Sequence, residues 1–314
     1  GRCSCIGKSK YSFKKSFMNK TIFVAGSGGI GEAAALLLRE WAGMDLTIIL
    51  GDVSEANLAK ASDFVLSGSD KTSAVETVLM QPEGESDAMR AALERSDVLL
   101  DCSPGSQAPR MAAYAKEFRM HYANLTEYVA ETDAILELAR DADTGFVLQT
   151  GLAPGFINVQ AMALYREFDR RFGNEEVERV AMKVGALTAH AHEPHFYGFT
   201  WSPIGVATEY VKDSRVIRDF KISERPALSA RETIIIGARA YEADLTSGGA
   251  ADLPEFFAGK ARELDYKTLR YPGHVAIMKP IRELGLLNND PIDGKAVQVR
   301  PRDVFIAAAT PVLR

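Results

Sequence analysis

The stretch "VAGSGGIGEA", residues 24–33, decides which fold the sequence predicts. Gly26, Gly28 and Gly31 follow a short apolar run and precede a helix-forming one, in the spacing GxGxxG. Glycines at this spacing allow a tight turn, a close approach of a pyrophosphate to the backbone, and close packing of the helix on the strand. The pattern therefore predicts a dinucleotide-binding turn between a first strand and a first helix.

An acidic residue stands where the ribose of a dinucleotide is expected. Asp52 ends the apolar run "LTIILGD", 21 residues after Gly31. A carboxylate at this point accepts a hydrogen bond from the ribose 2′-hydroxyl. The next basic residue is Lys60, so a 2′-phosphate would meet an anion. We expect NAD as the cofactor, with NADP less favoured. The alternative interpretation of Asp52 is a simple helix cap.

Apolar runs alternate with amphipathic segments between Thr21 and Leu148, which predicts a parallel sheet with helices on both faces. Ligands of such sheets bind beyond the carboxyl ends of the strands. We therefore predict cofactor contacts from the turns that follow the strands. These residues are Gly26, Ser27, Gly28, Gly29, Ile30, Gly31, Asp52, Val53, Cys102, Ser103, Pro104, Ala153, Pro154 and Gly155.

The turn "LLDCSPGSQAP" has a second interpretation, as an ordinary strand-to-helix connection that is capped by Ser103 or Ser106. Cys102 is not expected to act as a nucleophile, because the sequence offers it no obvious base.

After "GLAPGF" the pattern changes. A helix is predicted over 157–171, followed by the strands "VERVAMKVGAL", "HFYGFTW", "RVIRDFKI" and "ETIIIGA", and by helices near 273–284 and 303–309. Strands of this alternating type form an antiparallel or mixed sheet with one face in water. The expected fold class is α/β, with an N-terminal Rossmann dinucleotide-binding domain and a C-terminal mixed-sheet domain.

The composition is that of a globular protein: 314 residues, 46% hydrophobic and 25% charged, with a net charge of −5. This charge argues against a nucleic-acid surface. The chain holds no apolar run of the roughly 18 residues that span a bilayer, so no membrane partner is expected. Three cysteines are too few for a disulfide framework and favour a cytoplasmic location.

Two short motifs could hold a metal ion. Cys3 and Cys5 form a Cys-x-Cys pair, and "HAHEPH" places His190, His192 and His195 within six residues. A closed zinc site needs about four ligands, and the Cys-x-Cys pair has no cysteine partner nearby in sequence. The spacing of "HAHEPH" matches none of the common structural zinc patterns, so we expect no metal. For "HAHEPH" we favour a polar turn that lines a substrate cleft.

Five motifs occur in the order "GSGGIG", "HYANLTE", "GLAPGFINVQAM", "FTWSPIG" and "YKTLRYPGH". With these motifs the chain resembles the saccharopine dehydrogenase superfamily, in particular its lysine 6-dehydrogenase and saccharopine reductase-like branch, over roughly residues 20 to 310. "HAHEPH" does not belong to the family pattern. The resemblance implies a Rossmann domain over 19–155 and a substrate domain over 156–272 whose sheet helps to form a homodimer. It also implies that 273–314 returns to the Rossmann domain, and 1–18 is expected to be a flexible leader.

The resemblance implies reversible NAD(P)-linked oxidation of a C–N bond in an amino acid. Within "YKTLRYPGH", Arg270 is predicted to bind a substrate carboxylate bidentately, and Lys267 or His274 to act as acid or base. Glu127 is a further catalytic candidate that would hold a substrate ammonium. The remaining substrate contacts are predicted at Tyr271, Thr200, Trp201 and Ser202.

Each of these assignments has an ordinary structural alternative. Lys267 and Arg270 would otherwise be solvated strand residues, and Trp201 a core aromatic. The sequence thus predicts an NAD-linked dehydrogenase of lysine or a lysine-derived amino acid. Two alternatives stay open: a saccharopine or carboxynorspermidine dehydrogenase that uses NAD or NADP, and a dinucleotide-binding regulator without turnover.

Overall fold

The chain folds into two compact units. The computed structural model describes residues 19–126, 129–173, 175–191, 193, 197–199, 202–295 and 297–313. The first unit comprises the described residues up to Ala123 together with Asp133–Phe146. The second comprises the described part of 124–132 and the chain from Val147 onwards. The predicted leader, the catalytic candidate Glu127 and the substrate candidates Thr200 and Trp201 lie outside the described residues.

A six-stranded sheet forms the N-terminal part of the structure. Its strands are β1 (Lys20–Ala25), β2 (Leu46–Asp52), β3 (Ala74–Leu79), β4 (Val98–Asp101), β5 (His121–Asn124) and β6 (Phe146–Val147). The helices around it are α1 (Gly29–Trp41), α2 (Glu55–Ser67), α3 (Asp87–Glu94), α4 (Ala108–Glu117) and α5 (Val129–Ala139). The strand order β3-β2-β1-β4-β5-β6 is that of a Rossmann fold, which confirms the predicted class.

The interior of this sheet explains why its strands have continuous apolar runs. All seven residues of β2 are buried, and β2 pairs in parallel with both β1 and β3. Ile48 and Leu50 pack with Val24 of β1 and with Leu58 of α2 in one apolar cluster. Burying each such side chain stabilises the fold by about 1.5 to 3 kcal/mol. This packing holds the carboxyl ends of β1 and β2 side by side.

The second unit combines a mixed sheet with helices. Its strands are β7 (Val177–Val184), β8 (Ser214–Arg218), β9 (Lys221–Arg225), β10 (Glu232–Ile236), β11 (Arg239–Leu245) and β12 (Ala261–Arg270), followed by a small ribbon of β13 (Ile292–Asp293) and β14 (Gln298–Val299). Its helices are α6 (Phe156–Phe172), α7 (Pro203–Val211), α8 (Leu253–Phe257), α9 (His274–Glu283) and α10 (Pro301–Leu313). The sheet has the order β10-β11-β12-β8-β9, and β7 pairs in parallel with β12.

Two strand predictions were wrong. "RVIRDFKI" is a hairpin of β8 and β9 rather than one strand, because Asp219 and Phe220 both take positive φ and reverse the chain. The described part of "HFYGFTW" forms no strand. There the backbone N–H of Phe199 donates to the carbonyl of Leu313, and Tyr197 packs into an apolar cluster.

Helices α9 and α10 belong to the second unit, where Phe305 and Ile306 of α10 pack against the apolar cluster that α7 and α9 form. The return of 273–314 to the Rossmann domain stays a prediction. Within the described residues, no helix combines the length and the apolar character needed to cross a membrane.

Side chains alternate between the two faces of β12, as in any strand. Leu264 and Tyr266 pack with α6 and α8 on one face. Asp265 and Lys267 lie on the other face, where cations and anions from neighbouring strands meet them. This charged face comprises Arg179, Lys183, Arg218, Glu232, Glu263, Asp265 and Lys267.

Lys267 lies deepest among the cations of the charged face. Its side chain is 3% exposed, and its ammonium donates to the carboxylate of Glu232 and to the carbonyl of Ala230. Burial acts to raise the pKa of Glu232, but Lys267, Arg179 and Lys183 outweigh it and lower that pKa to about 2. The carboxylate of Glu232 is therefore ionised at neutral pH.

We expect Glu232→Gln to lower the free energy of unfolding by about 2 kcal/mol at neutral pH, because it removes the carboxylate partner of a buried ammonium. The folded-state pKa of Glu232 lies below its ordinary value of 4.5. The stabilisation is thus complete above pH 4.5 and is lost as the pH falls toward 2. Denaturant titrations of wild type and variant across this range should converge in acid.

Glu263→Gln is the matched control, since Glu263 is 42% exposed and its carboxylate lies 3.8 Å from Arg179. We expect it to change the free energy of unfolding by less than about 0.5 kcal/mol. Equal effects of the two substitutions would contradict a special role for the Lys267–Glu232 pair.

Candidate functional site

The glycine loop between β1 and α1 takes the shape that its spacing predicts. Gly26 has φ +91°, and a Cβ placed there would lie 2.7 Å from the carbonyl oxygen of Cys102. A Cβ at Gly31 would lie 1.9 Å from the carbonyl oxygen of Gly26. Both positions therefore require glycine, the first for the turn and the second for the packing of α1 on the loop.

The outer side of the same loop is open. A Cβ at Gly28 or Gly29 would meet no atom within 4 Å. Gly28 is the N-cap of α1 and has no side chain to cap it, so the first N–H groups of this helix are available to an anion. This arrangement fits the pyrophosphate of a dinucleotide. Ile30 and Val53 expose 54% and 59% of their surface beside it, which suits the apolar parts of such a cofactor.

Asp52 is fixed at the end of β2. One carboxylate oxygen accepts the backbone N–H of Ser27 at 2.8 Å. The other accepts the N–H of Ser54 at 2.9 Å and the side-chain amide of Asn57 at 3.3 Å. The cap of α2 is Ser54, so Asp52 is not the N-cap of that helix. The carboxylate thus ties the glycine loop to the second strand, where a ribose is expected.

The nearest lysine downstream is already paired. The ammonium of Lys60 lies 3.3 Å from the carboxylate of Glu32 on α1. Residues 53–59, between Asp52 and Lys60, contain no basic residue. Nothing in this segment offers a cation to a 2′-phosphate.

The turn after β4 is organised by Asp101. Its carboxylate accepts the backbone N–H and the hydroxyl of Ser103, and the hydroxyl of Tyr122 at 2.8 Å. Burial raises the pKa of Asp101 against these hydrogen bonds. The side chain of Ser103 is thereby engaged, and the helix that follows has no side-chain cap, so capping by Ser103 or Ser106 was wrong. Pro104 is exposed at the end of the turn.

Cys102 is not a nucleophile in this environment. Burial, with a smaller contribution from the charge of Asp101, raises the pKa of its thiol to about 12. The thiolate, which is the reactive form, is therefore negligible at neutral pH.

The turn "GLAPG" is equally constrained. Gly155 has φ +133°, and a Cβ there would lie 2.2 Å from the carbonyl oxygen of Gly151. The side chain of Asn158 accepts the N–H of Gly155 and donates to the carbonyls of Gly249 and Ala250. The turn is thus anchored at the start of α6, with Pro154 buried and Ala153 half-buried. That Ala153, Pro154 and Gly155 contact a cofactor stays a prediction.

Arg270 lies in a buried polar cluster, which we call the Tyr210 cluster: Tyr197, Glu209, Tyr210, Arg270 and His274. Its guanidinium donates to the carboxylate of Glu209 at 2.8 Å, to the hydroxyl of Tyr210 at 2.7 Å and to the carbonyl of Leu269 at 2.9 Å. With only 3% of Arg270 exposed, these protein groups hold the guanidinium. That Arg270 binds a substrate carboxylate stays a prediction.

His274 is the second predicted site residue in this cluster. Its Nε2 lies 2.9 Å from the hydroxyl of Tyr210, and its ring packs on that of Tyr197 with centroids 4.7 Å apart. Burial raises the pKa of Glu209 to about 7, although the charge of Arg270 acts to lower it. The cluster therefore couples a strong cation, a weakly acidic carboxyl group and an imidazole.

Lys267 does not join this cluster. It is three residues from Arg270 along β12, so its side chain emerges on the opposite face and pairs with Glu232. That Lys267 acts as acid or base stays a prediction, but it does not share a face with Arg270. Tyr271 also lies outside the cluster: its ring stacks on Tyr241 and its hydroxyl donates to the carbonyl of Thr188.

The other predicted contacts are only partly described. The hydroxyl of Ser202 accepts the N–H of Gly205 and caps α7. His190 is exposed, whereas His192 and His195 lie outside the described residues. Within the described part of the chain, no three His, Cys, Asp or Glu side chains converge as metal ligands would.

Sequence patterns missed Glu209 and Tyr210. They occupy adjacent positions in α7, about 60 residues before the motif that they contact, and match no motif of their own. The available signal was a glutamate and a tyrosine in an otherwise apolar helical segment, "PIGVATEYV". Buried polar side chains of this kind require partners.

Two family models match the chain. The saccharopine dehydrogenase NADP binding domain matches residues 22–148, and the saccharopine dehydrogenase C-terminal domain matches residues 151–309. The two matches meet at residues 148 and 151, a few residues before the predicted domain boundary at 155.

A solved structure shares the fold, and a second gives a weaker match. Apo histidine-tagged saccharopine dehydrogenase (L-Glu forming) from Saccharomyces cerevisiae matches with a TM-score of 0.65 and 19% identity, over 87% of this chain and 60% of that chain. An NAD binding oxidoreductase from Klebsiella pneumoniae matches with a TM-score of 0.46 and 13% identity, over 82% of this chain and 68% of that chain. The chain thus spans about 60% of the length of the yeast protein.

The glycine loop yields a paired test. We expect Gly31→Ala to destabilise the first unit by about 2 to 3 kcal/mol, because the new Cβ overlaps the carbonyl of Gly26. Gly29→Ala should change stability by less than about 1 kcal/mol, because that Cβ meets open space. Denaturant titrations of the two variants without nucleotide measure the difference. Similar stabilities would contradict the packing described for Gly31.

Proposed function

The chain belongs to the saccharopine dehydrogenase family, and we propose that it is an NAD-linked oxidoreductase acting on a C–N bond of lysine or a lysine-derived amino acid. The observation that carries this proposal is the glycine loop, closed against β2 by the hydrogen bond from Ser27 to Asp52. A loop of this shape has open space for a pyrophosphate and a carboxylate for a ribose. We propose a cytoplasmic location, in keeping with the low cysteine content.

We propose NAD rather than NADP as the cofactor. Asp52 would accept a hydrogen bond from the ribose 2′-hydroxyl, and a 2′-phosphate at the same place would be repelled. The matching family model is described as NADP binding, so the choice within this chain depends on Asp52 and on the segment 53–59 after it, which contains no basic residue.

A bound NAD would supply the hydride acceptor for the carbon that carries the substrate nitrogen. The chain supplies binding and proton handling. The N–H groups at the start of α1 would hold the phosphates, and Asp52 the ribose. Oxidation of an amine to an imine also releases a proton from nitrogen, and we propose His274 as the group that handles it.

The dinucleotide assignment is tested with Asp52→Asn. The direct test measures NADH or NADPH formation with L-lysine, saccharopine and a panel of diamines, each with NAD and with NADP. We expect turnover of an amino acid with NAD. In Asp52→Asn the preference for NAD over NADP should fall by at least about tenfold, because hydrogen bonds to a charged group are worth about 1.5 to 3 kcal/mol.

The measurement that decides is the ratio of activity with NAD to activity with NADP. Asp52 also binds the backbone N–H groups of Ser27 and Ser54, so its substitution affects the binding of both cofactors. Asp63→Asn, on α2 outside the loop, is the control and should keep the preference. An unchanged ratio in Asp52→Asn would contradict the ribose assignment. Tight NADH binding with no turnover of any amine would favour the regulator alternative.

We propose that the chain forms a homodimer through the charged face. Arg179 and Lys183 lie there among Glu232, Glu263 and Asp265, so two copies related by a two-fold axis can present opposite charges to each other. Opposite charges at an interface fix its register and exclude wrong partners.

Ala181 tests this interface, because it is exposed on β7 in register with Asp265 of the charged face. We expect Ala181→Arg to shift the mass measured by light scattering from dimer to monomer, because a long cation enters the centre of the face. Ala258→Arg, an exposed position after α8, is the control and should stay dimeric. A wild type that is monomeric at every concentration would contradict the proposal.

A further inference from the structure

The hydroxyl of Tyr210 lies at the centre of the Tyr210 cluster. It is 2.7 Å from Nε of Arg270 and 2.9 Å from Nε2 of His274, and the whole residue is buried. A phenol has one hydrogen to donate and accepts through its oxygen. Which way each of the two hydrogen bonds runs is therefore decided by the partners.

The bond to Arg270 can run in only one direction. A guanidinium donates and cannot accept, so Nε–H of Arg270 donates to the oxygen of Tyr210. The guanidinium cannot turn away, because Glu209 and the carbonyl of Leu269 bind its other nitrogens. Burial also raises the pKa of Tyr210, so the phenol keeps its hydrogen.

The hydrogen of Tyr210 then has one acceptor among its contacts in the described part of the chain, which is Nε2 of His274. A nitrogen that accepts a hydrogen bond carries no hydrogen. A neutral imidazole in this position must therefore carry its hydrogen on Nδ1.

The opposite arrangement is unfavourable for two reasons. If Nε2 carried a hydrogen, the oxygen of Tyr210 would receive two donors and its own hydrogen would face a buried site without that acceptor. If both ring nitrogens carried hydrogens, a second cation would be buried in the same cluster as Arg270. Within the Tyr210 cluster the carboxylate is that of Glu209, which is already bound to Arg270.

We propose that Tyr210 is a positioning residue that fixes His274 as the neutral tautomer with its hydrogen on Nδ1. This inference deepens the proposed function and rests on it, since His274 is the group proposed to handle the substrate proton. Arg270 and Glu209 take part indirectly, by dictating which way the hydroxyl of Tyr210 points. A proton that reaches His274 must enter at Nε2, and the hydrogen bond with Tyr210 must then reverse.

The tautomer is measured directly by nitrogen NMR of protein labelled with 15N in its histidine rings. The chain has five histidines, and His274→Gln identifies the signals of His274 by their loss. In wild type we expect Nδ1 to show the shift of a protonated ring nitrogen and Nε2 that of an unprotonated one. Wild-type protein with the hydrogen on Nε2 would overturn the proposal, whatever the variants do.

Tyr210→Phe removes the hydroxyl and keeps the ring. We expect the signals of His274 to move toward the Nε2-protonated tautomer or a mixture of the two. Tyr165→Phe is the matched control: its ring packs edge-on against Phe256 and Phe257, away from His274, and the tautomer should not change. A folded Tyr210→Phe protein with an unchanged tautomer would show that the hydroxyl is only structural, which overturns the proposal.

Kinetics separate this inference from the proposed function. With an active substrate, Tyr210→Phe should lower kcat by at least about tenfold and leave KM for NAD unchanged. Tyr165→Phe should leave both unchanged. A Tyr210→Phe enzyme with unchanged kcat would contradict the role of Tyr210 in turnover. If wild type turns over no amine, the proposed function fails, while the NMR measurement still decides the tautomer.

Discussion

The alternation of side chains along β12 is the constraint on which the second unit depends. This strand has β7 on one side and β8 and β11 on the other, so its edges are paired and its side chains project from the two faces of the sheet. Residues an odd number of positions apart must face opposite ways. Asp265 and Lys267 therefore serve the charged face, while Tyr266 and Arg270 serve the face that the helices cover.

The same constraint explains why "YKTLRYPGH" is so rich in charged and hydrogen-bonding groups. The motif serves two separate environments in a few residues. Lys267 pairs with Glu232 on one face. Arg270 pairs with Glu209 in the Tyr210 cluster on the other, and His274 joins that cluster from the start of α9. In the sequence these residues form one cluster of cations, whereas in the folded chain they bind different partners.

Local patterns in the sequence were sufficient to predict much of the structure of the first unit. The run "LTIILGD" coincides with β2, because a strand buried on both faces must be apolar throughout. The steric requirement for glycine at positions 26 and 31 could likewise be predicted, because the GxGxxG spacing is typical of this turn and of this contact between helix and strand. The hairpin turn at Asp219 and Phe220 could not be predicted from the sequence. Tight hairpin turns usually contain glycine or asparagine, and this one contains neither.

The candidate site was less predictable, because its contacts join distant segments. Arg270 and His274 were found from their motif, but the partners that determine their chemistry, Glu209 and Tyr210, lie in a helix with no motif. Residue type alone suggested that an arginine would bind a substrate carboxylate. The same preference for carboxylates is satisfied inside the protein, and burial of the ion pair is what a sequence does not display.

The Tyr210 cluster could contribute to the stability of the fold or to the orientation of His274. Burial raises the pKa of Glu209 to about 7 even beside Arg270, so desolvation offsets much of the attraction between the two charges. Apolar side chains of similar volume would hold α7 against β12 at least as well. They would not bind Nε2 of His274, whereas hydrogen bonds are directional and distinguish its two nitrogens. The cluster is therefore better explained by the orientation of His274 than by stability.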